Sequence, residues 1–146
     1  MDKNGIVFPK SYKPNNNERF MSPLQKEYFR QKILKWRQEI LNGSEETLSS
    51  LKEQTREADI NDQATIETDR SLELRARDRD RKLLNKIDAA LERLKEGTYG
   101  YCEETGEPIA LARLEARPIA TLSIEAQERH EKKERIFREG HSGQEE

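Results

Sequence analysis

The sequence predicts an all-α protein with a long antiparallel coiled-coil hairpin, a small globular head and a C-terminal helix. Two long segments carry apolar residues at helical spacing, and a short acidic stretch separates them. The turn-rich segment that follows has enough aromatic and aliphatic residues for a small core. Only 32% of the 146 residues are hydrophobic and 38% are charged, which suits a helical seam and a small core.

The first 21 residues have the composition of a loop, with Pro9, Pro14 and three consecutive asparagines at 15–17. We expect this segment to pack on or near the head. Ser22-Pro23 then marks the start of the hairpin, because serine caps a helix and proline needs no hydrogen-bond partner at the first helical position.

The first arm of the hairpin follows this start signal. Leu34, Leu41 and Leu48 are seven residues apart, and this spacing predicts a seam facing a partner helix. Gly43 interrupts the pattern, and glycine inside a helix costs about 1 kcal/mol relative to alanine. We predict a helix that continues through Gly43, with or without a bend there.

The second arm begins near Asp62–Thr65 and is stopped by Gly97. Its predicted seam includes Leu72 and then a run with coiled-coil spacing, which consists of Leu83, Ile87, Ala90 and Leu94. The hairpin therefore covers residues 22–97, with its tip at 58–64.

Charge is distributed unevenly along this hairpin. Residues 53–69 hold six acidic side chains and one arginine, for a net charge of −5, whereas residues 75–86 hold six basic and two acidic side chains, for +4. An acidic tip beside a basic stretch suggests two different contacts. Asp62 is also placed to cap the second arm, so the pair Asp59 and Asp62 has a structural as well as a functional interpretation.

The head is predicted at 98–122, the last helix at 123–139 and a polar tail at 140–146. The predicted core of the head is formed by aliphatic residues, namely Leu111, Leu114, Ile119, Leu122 and Ile124.

The head has the spacing of a two-pair zinc site without its ligands. The four positions are Cys102 and Thr105, then Ser123 and Ala126, whereas structural zinc requires four thiolate or imidazole ligands. We therefore predict a degenerate zinc-finger-like head with no metal and no zinc cofactor. The adjacent glutamates 103 and 104 are expected to raise the pKa of Cys102.

Several classes of protein are disfavoured by composition. No apolar run is long enough to span a membrane, and the N-terminus lacks the apolar core of a secretory signal. A single cysteine precludes an internal disulfide and fits a reducing, cytoplasmic compartment. The net charge of −2 argues against general nucleic-acid binding.

Four motifs together resemble those of the DksA transcription factors: residues 59–64 (DINDQA), 71–79 (SLELRARDR), 99–102 (YGYC) and 113–118 (RLEARP). The resemblance covers about residues 20–134. It implies a factor that binds bacterial RNA polymerase directly, without sequence-specific DNA binding, and inserts its coiled coil into the secondary channel. It further implies that Asp59, Asp62 and Ala64 are the tip residues acting near the polymerase active site.

The same resemblance implies a response to the alarmone ppGpp. Arg79, Leu83, Lys86 and Arg117 match the family's ppGpp-contacting positions, whereas Ala76 and Gln127 replace an asparagine and a lysine that many members carry. The single cysteine resembles the zinc-independent type of the family.

We therefore predict a monomeric, non-enzymatic regulator of transcription initiation. One alternative is a transcript-cleavage factor whose tip carboxylates hold Mg²⁺. Another is a generic coiled-coil adapter that self-associates through the Leu34, Leu41 and Leu48 seam.

Overall fold

The computed structural model describes residues 11–57 and 63–142, which form four helices: α1 (Pro23–Glu57), α2 (Gln63–Glu96), α3 (Leu111–Ala116) and α4 (Ile124–Ser142). Within those ranges the only β-type pairing is an isolated bridge between Tyr101 and Pro108. The all-α prediction is confirmed. The chain divides into two compact units: the first contains the residues up to Phe29 and from Arg93 onward, and the second contains Arg30–Glu92.

Helix α1 begins where the sequence predicts. The Ser22 Oγ accepts a hydrogen bond from the Gln25 N–H at 3.3 Å, so serine satisfies one of the donors that a helix leaves unpaired at its start. The preceding Met21 is buried and has a positive φ of 51°. The helix continues through Gly43 without interruption, as predicted.

In the second unit, α1 and α2 run antiparallel. Arg37 pairs with Asp88 at 3.0 Å, and the Ser44 hydroxyl donates to Asp80 at 2.7 Å. Moving forward along α1 therefore means moving backward along α2. These contacts are those of the predicted helical hairpin.

The seam between these helices differs from the predicted one. Ile33, Ile87 and Ala90 are fully buried, whereas Leu34 is 39% exposed and Leu72 is 57% exposed. Neighbouring residues on a helix point about 100° apart, so burial of Ile33 turns Leu34 outward. The prediction of seam positions at Leu34 and Leu72 is wrong, and that for Ile87 and Ala90 is confirmed.

The end of α2 is fixed by backbone hydrogen bonds to one carbonyl. The Gly97 and Thr98 N–H groups both donate to the Arg93 oxygen, at 2.9 and 3.0 Å. Gly97 has a φ of 86°, a left-handed conformation that glycine adopts without strain.

The first unit has a small core around Tyr99, Ile109 and Leu114, all buried. The Tyr99 hydroxyl donates to the Pro118 carbonyl at 2.6 Å. Leu114 lies on α3, a short helix that the sequence did not predict. Ile124 was expected in this core but is 48% exposed, because the chain uses Ala126 as the buried position of α4.

Residues 11–21 pack on the start of α1 through polar contacts. The Tyr12 hydroxyl donates to Glu18 at 2.6 Å, and the buried Gln25 side chain donates to the Asn15 carbonyl and to Glu18. The Gln25 amide oxygen accepts from the Met21 N–H at 2.9 Å. This network satisfies every polar atom of a buried glutamine, as burial of an amide requires.

Helix α4 begins at a second serine cap, where Ser123 Oγ accepts from the Ala126 N–H at 3.2 Å. It extends to Ser142, beyond the predicted end at 139. None of the helices in the described ranges is long and apolar enough to cross a membrane.

Candidate functional site

One face of α2 carries a row of cations. Arg75, Arg79, Lys82 and Lys86 follow one another at intervals of four, three and four residues, so they lie within an arc of about 60° on the helix. Leu83 is half-buried at the edge of this row. The structure thus places three of the predicted ligand-contacting residues, Arg79, Leu83 and Lys86, on one face.

Ion pairs within α2 neutralise only part of this charge. Asp78 pairs with Arg81 and, at 3.3 Å, with Lys82, and Glu73 pairs with Arg77 at 3.4 Å. The pairing with Lys82, followed by the charge of Arg81, lowers the pKa of Asp78, so this carboxylate remains charged at neutral pH.

Within the described part of the chain, three of the four cations in this row lack a carboxylate partner. Arg75, Arg79 and Lys86 are exposed and form no ion pair with any other residue in the described part of the chain. Ion pairs therefore neutralise some of the charged side chains in residues 75–82. The others present unneutralised positive charge, which suits an anionic ligand or an acidic surface.

One of the three predicted tip residues lies among the described residues. Asp59 and Asp62 lie outside the described residues, and Ala64 is the exposed second residue of α2. Its carbonyl accepts a hydrogen bond from the Thr68 hydroxyl at 2.9 Å. Arg117 belongs to the first unit, where it is exposed at the end of α3 and its N–H donates to the Arg113 carbonyl at 2.7 Å.

Cys102 lies in a turn closed by backbone hydrogen bonds. The Cys102 N–H donates to the Glu107 carbonyl, and the Gly106 N–H donates to the Cys102 carbonyl, both at 2.8 Å. The thiol is buried. Hydrogen bonds from the Thr105 hydroxyl and from the Ser123 N–H lower its pKa to about 6. The prediction of a raised pKa is wrong, because hydrogen bonds to the thiolate outweigh nearby carboxylates.

Three of the four positions of the degenerate site lie together. Thr105 and Ser123 both contact the Cys102 sulfur, and Ser123 caps the helix on which Ala126 is fully buried. The sequence analysis did not predict this contact between a hydroxyl and the thiol. The signal for it was Thr105, which stands where a second cysteine is expected. Ala126, at the fourth position, is fully buried and has no donor atom in its side chain.

These residues do not fit a zinc ion bound by four cysteines. The chain has one cysteine, and no group of three or more histidine, cysteine, aspartate or glutamate side chains that could hold a metal occurs within residues 11–57 and 63–142. One sulfur with two hydroxyls and a methyl group cannot replace four thiolates.

Comparison with known proteins assigns this chain to a family. Residues 25–94 match the family model described as the N-terminal domain of the DnaK suppressor protein DksA. Over 92% of its length the chain is 59% identical to the RNA polymerase-binding transcription factor DksA of Caulobacter vibrioides, of which it covers 95%. The chain belongs to the DksA family.

More distant DksA proteins are also similar to this chain. The chain is 40% identical to DksA of Haemophilus influenzae over 80% of its length and 81% of that protein, and 36% identical to DksA of Escherichia coli over 78% and 76%. Among solved structures, that of DksA2 from Pseudomonas aeruginosa matches with a TM-score of 0.68 and 45% identity, covering 80% of this chain and 90% of that one.

The prediction about cofactors is contradicted by the second family match. Residues 97–132 match the model of the prokaryotic DksA/TraR C4-type zinc finger, a family named for a zinc site. The chain's own residues do not supply that metal's ligands, and zinc is not supported for this chain.

Proposed function

We propose that this DksA-family protein binds bacterial RNA polymerase and regulates transcription initiation. The observation that carries the proposal is the 59% identity, across 92% of the chain, to a protein named for RNA polymerase binding. The antiparallel pair of α1 and α2 supports it, because α2 alone has 34 residues and therefore a length of about 50 Å. A helical hairpin of this length suits insertion into the secondary channel of the polymerase.

In this proposal the tip acts by contact and charge. Asp59, Asp62 and Ala64 enter the channel and alter the lifetime of initiation complexes near the active site. No bond is made or broken by the protein, which works as a cytoplasmic monomer and does not read a DNA sequence.

The basic face of α2 supports a second element of the proposal, a response to ppGpp. Arg79 and Lys86 are exposed cations without ion-pair partners in the described ranges, and each is suited to a charge-assisted hydrogen bond to phosphate. Leu83 of the same helix and, separately, Arg117 are also proposed to contact ppGpp when the factor is bound to polymerase.

Transcription from a ribosomal promoter in vitro, with purified bacterial polymerase, tests both elements. The protein should change transcript yield, and ppGpp should enlarge the change. Arg79→Ala with Lys86→Ala should remove the ppGpp effect while keeping polymerase binding. Arg77→Ala is the matched control, because Arg77 lies on the opposite side of α2 and already pairs with Glu73.

Three results would contradict the proposal. An unchanged transcript yield together with no polymerase binding would reject the function. Cleaved transcripts from stalled elongation complexes would favour the cleavage factor. Sedimentation as a dimer would favour the adapter.

A further inference from the structure

The charges of α4 are sorted by face. Its five glutamates, at positions 125, 128, 131, 134 and 139, lie within one half of the helix circumference. The opposite arc of about 120° contains no carboxylate from Ile124 to Gly140. Its members are Ala126, Arg129, His130, Lys133, Ile136, Phe137 and Gly140. We call these seven residues the carboxylate-free face.

This face continues the surface by which α4 packs into its own unit. Ala126, at its start, is fully buried, whereas Ile136 and Phe137, near its other end, are 59% and 70% exposed. Gly140 lies beside them on the same face, and a Cβ placed there would meet nothing within 4 Å. Two large apolar side chains are thus presented together next to an open backbone surface.

Basic groups occupy the middle of the face. The Arg129 side chain is 56% exposed, and its contact with Glu104 is long, at 4.0 Å. His130 and Lys133 are exposed. The combination of an apolar end with a basic centre is the pattern of a surface that receives an amphipathic helix carrying acidic residues.

We propose that the carboxylate-free face of α4 is a docking site for an acidic amphipathic helical segment of another protein. Apolar residues of that segment would cover Ile136 and Phe137, and its carboxylates would meet Arg129 and Lys133. Nucleic acid fits less well, because the five glutamates would flank a phosphate backbone with like charge. A second copy of α4 fits less well, because two basic faces would repel.

The test uses the full chain and a synthetic helical peptide of about 20 residues with leucines on one face and glutamates beside them. Binding is followed by fluorescence anisotropy at low and moderate salt, without polymerase, so the result is independent of the proposed function. The expected result is saturable, salt-sensitive binding that a peptide with lysines in place of the glutamates does not show. Phe137→Ser and Lys133→Glu should each weaken binding about tenfold or more.

Lys132→Glu is the matched control, because it makes the same charge change on the glutamate-rich side of the same helix and should leave the affinity nearly unchanged. Circular dichroism of each variant verifies that α4 remains helical. Equal losses in the Lys132 and Lys133 variants would overturn the docking site. So would absent peptide binding, tighter binding of a duplex DNA probe, or concentration-dependent dimers that Phe137→Ser abolishes.

Discussion

Two glycines that follow α2 share a backbone conformation and differ in their surroundings. Gly97 and Gly100 have φ angles of 86° and 87°. A Cβ at Gly97 would meet nothing within 4 Å, whereas one at Gly100 would lie 3.0 Å from Met21 Cε and 3.2 Å from Phe20 Cζ. Gly100 is therefore required both for its φ and for close packing against residues 20–21.

Alanine at these two glycines separates the two requirements. Gly97→Ala should lower the free energy of unfolding by about 1–2 kcal/mol, the cost of a left-handed conformation. Gly100→Ala should cost about 1–3 kcal/mol more, because it also overpacks the contact with Met21 and Phe20. Chemical denaturation measures both. Equal losses would mean that Met21 and Phe20 move aside without cost.

The Cys102 thiol gives the first unit a pH-dependent stability. Its pKa is lowered from 9.0 to about 6 in the folded chain. A group with a depressed folded pKa contributes stability above its unfolded pKa and loses it as the pH falls through the folded value. The window for this effect is therefore pH 6–9.

Replacement of Cys102 by alanine should expose that window. The unfolding free energy of the original chain should rise from pH 6 to pH 9 relative to that of Cys102→Ala, measured by denaturation under reducing conditions. Comparison of the two chains cancels the titration of other groups. A constant difference over this range would show that folding does not lower the pKa of the thiol.

At the scale of elements, α1 and α2 are held together by a seam whose register the structure defines. Ile33 is fully buried and its neighbour Leu34 is 39% exposed. The polar contacts of Arg37 with Asp88 and of Ser44 with Asp80 flank this seam. Exposed ion pairs contribute only about 0–1 kcal/mol, so the apolar positions dominate the stability of the hairpin.

Adjacent alanine substitutions in α1 should therefore differ greatly in effect. Ile33→Ala should lower the free energy of unfolding by about 2–5 kcal/mol, as expected for a cavity in a packed core. Leu34→Ala should cost less than about 1 kcal/mol, because its side chain is partly in solvent already. Thermal and urea denaturation report both values. A larger loss of unfolding free energy for Leu34→Ala than for Ile33→Ala would support the seam that heptad spacing predicts.

At the scale of the whole molecule, the proposed function assigns regulation to the tip and treats polymerase binding as a separate property. Asp59→Asn with Asp62→Asn removes two charges from the tip while leaving α2 and its basic face unchanged. Binding to polymerase should persist, and the effect on initiation should be lost. Competition binding and promoter transcription in vitro measure the two properties. Parallel loss of both, with a lowered melting temperature, would assign Asp62 to helix capping instead.

Local signals in the sequence determined where the long helices lie. Ser22-Pro23 and Ser123 carry the chemistry of helix starts, and Gly97 carries that of a helix end; these signals depend only on neighbouring backbone groups. The run Leu83, Ile87, Ala90 and Leu94 identified the inner side of α2 by spacing alone. Family motifs in the sequence were equally local and specified the DksA family.

Tertiary structure decided which side of α1 is buried and what surrounds Cys102. Ile33 and Leu34 are both aliphatic, so only packing against α2 selects between their directions. The thiol's low pKa depends on Thr105 and on a backbone N–H from Ser123, 21 positions later in the chain. Such contacts between distant positions arise only when the chain folds. The residues that cap a helix and the spacing of apolar residues can instead be read directly from the sequence.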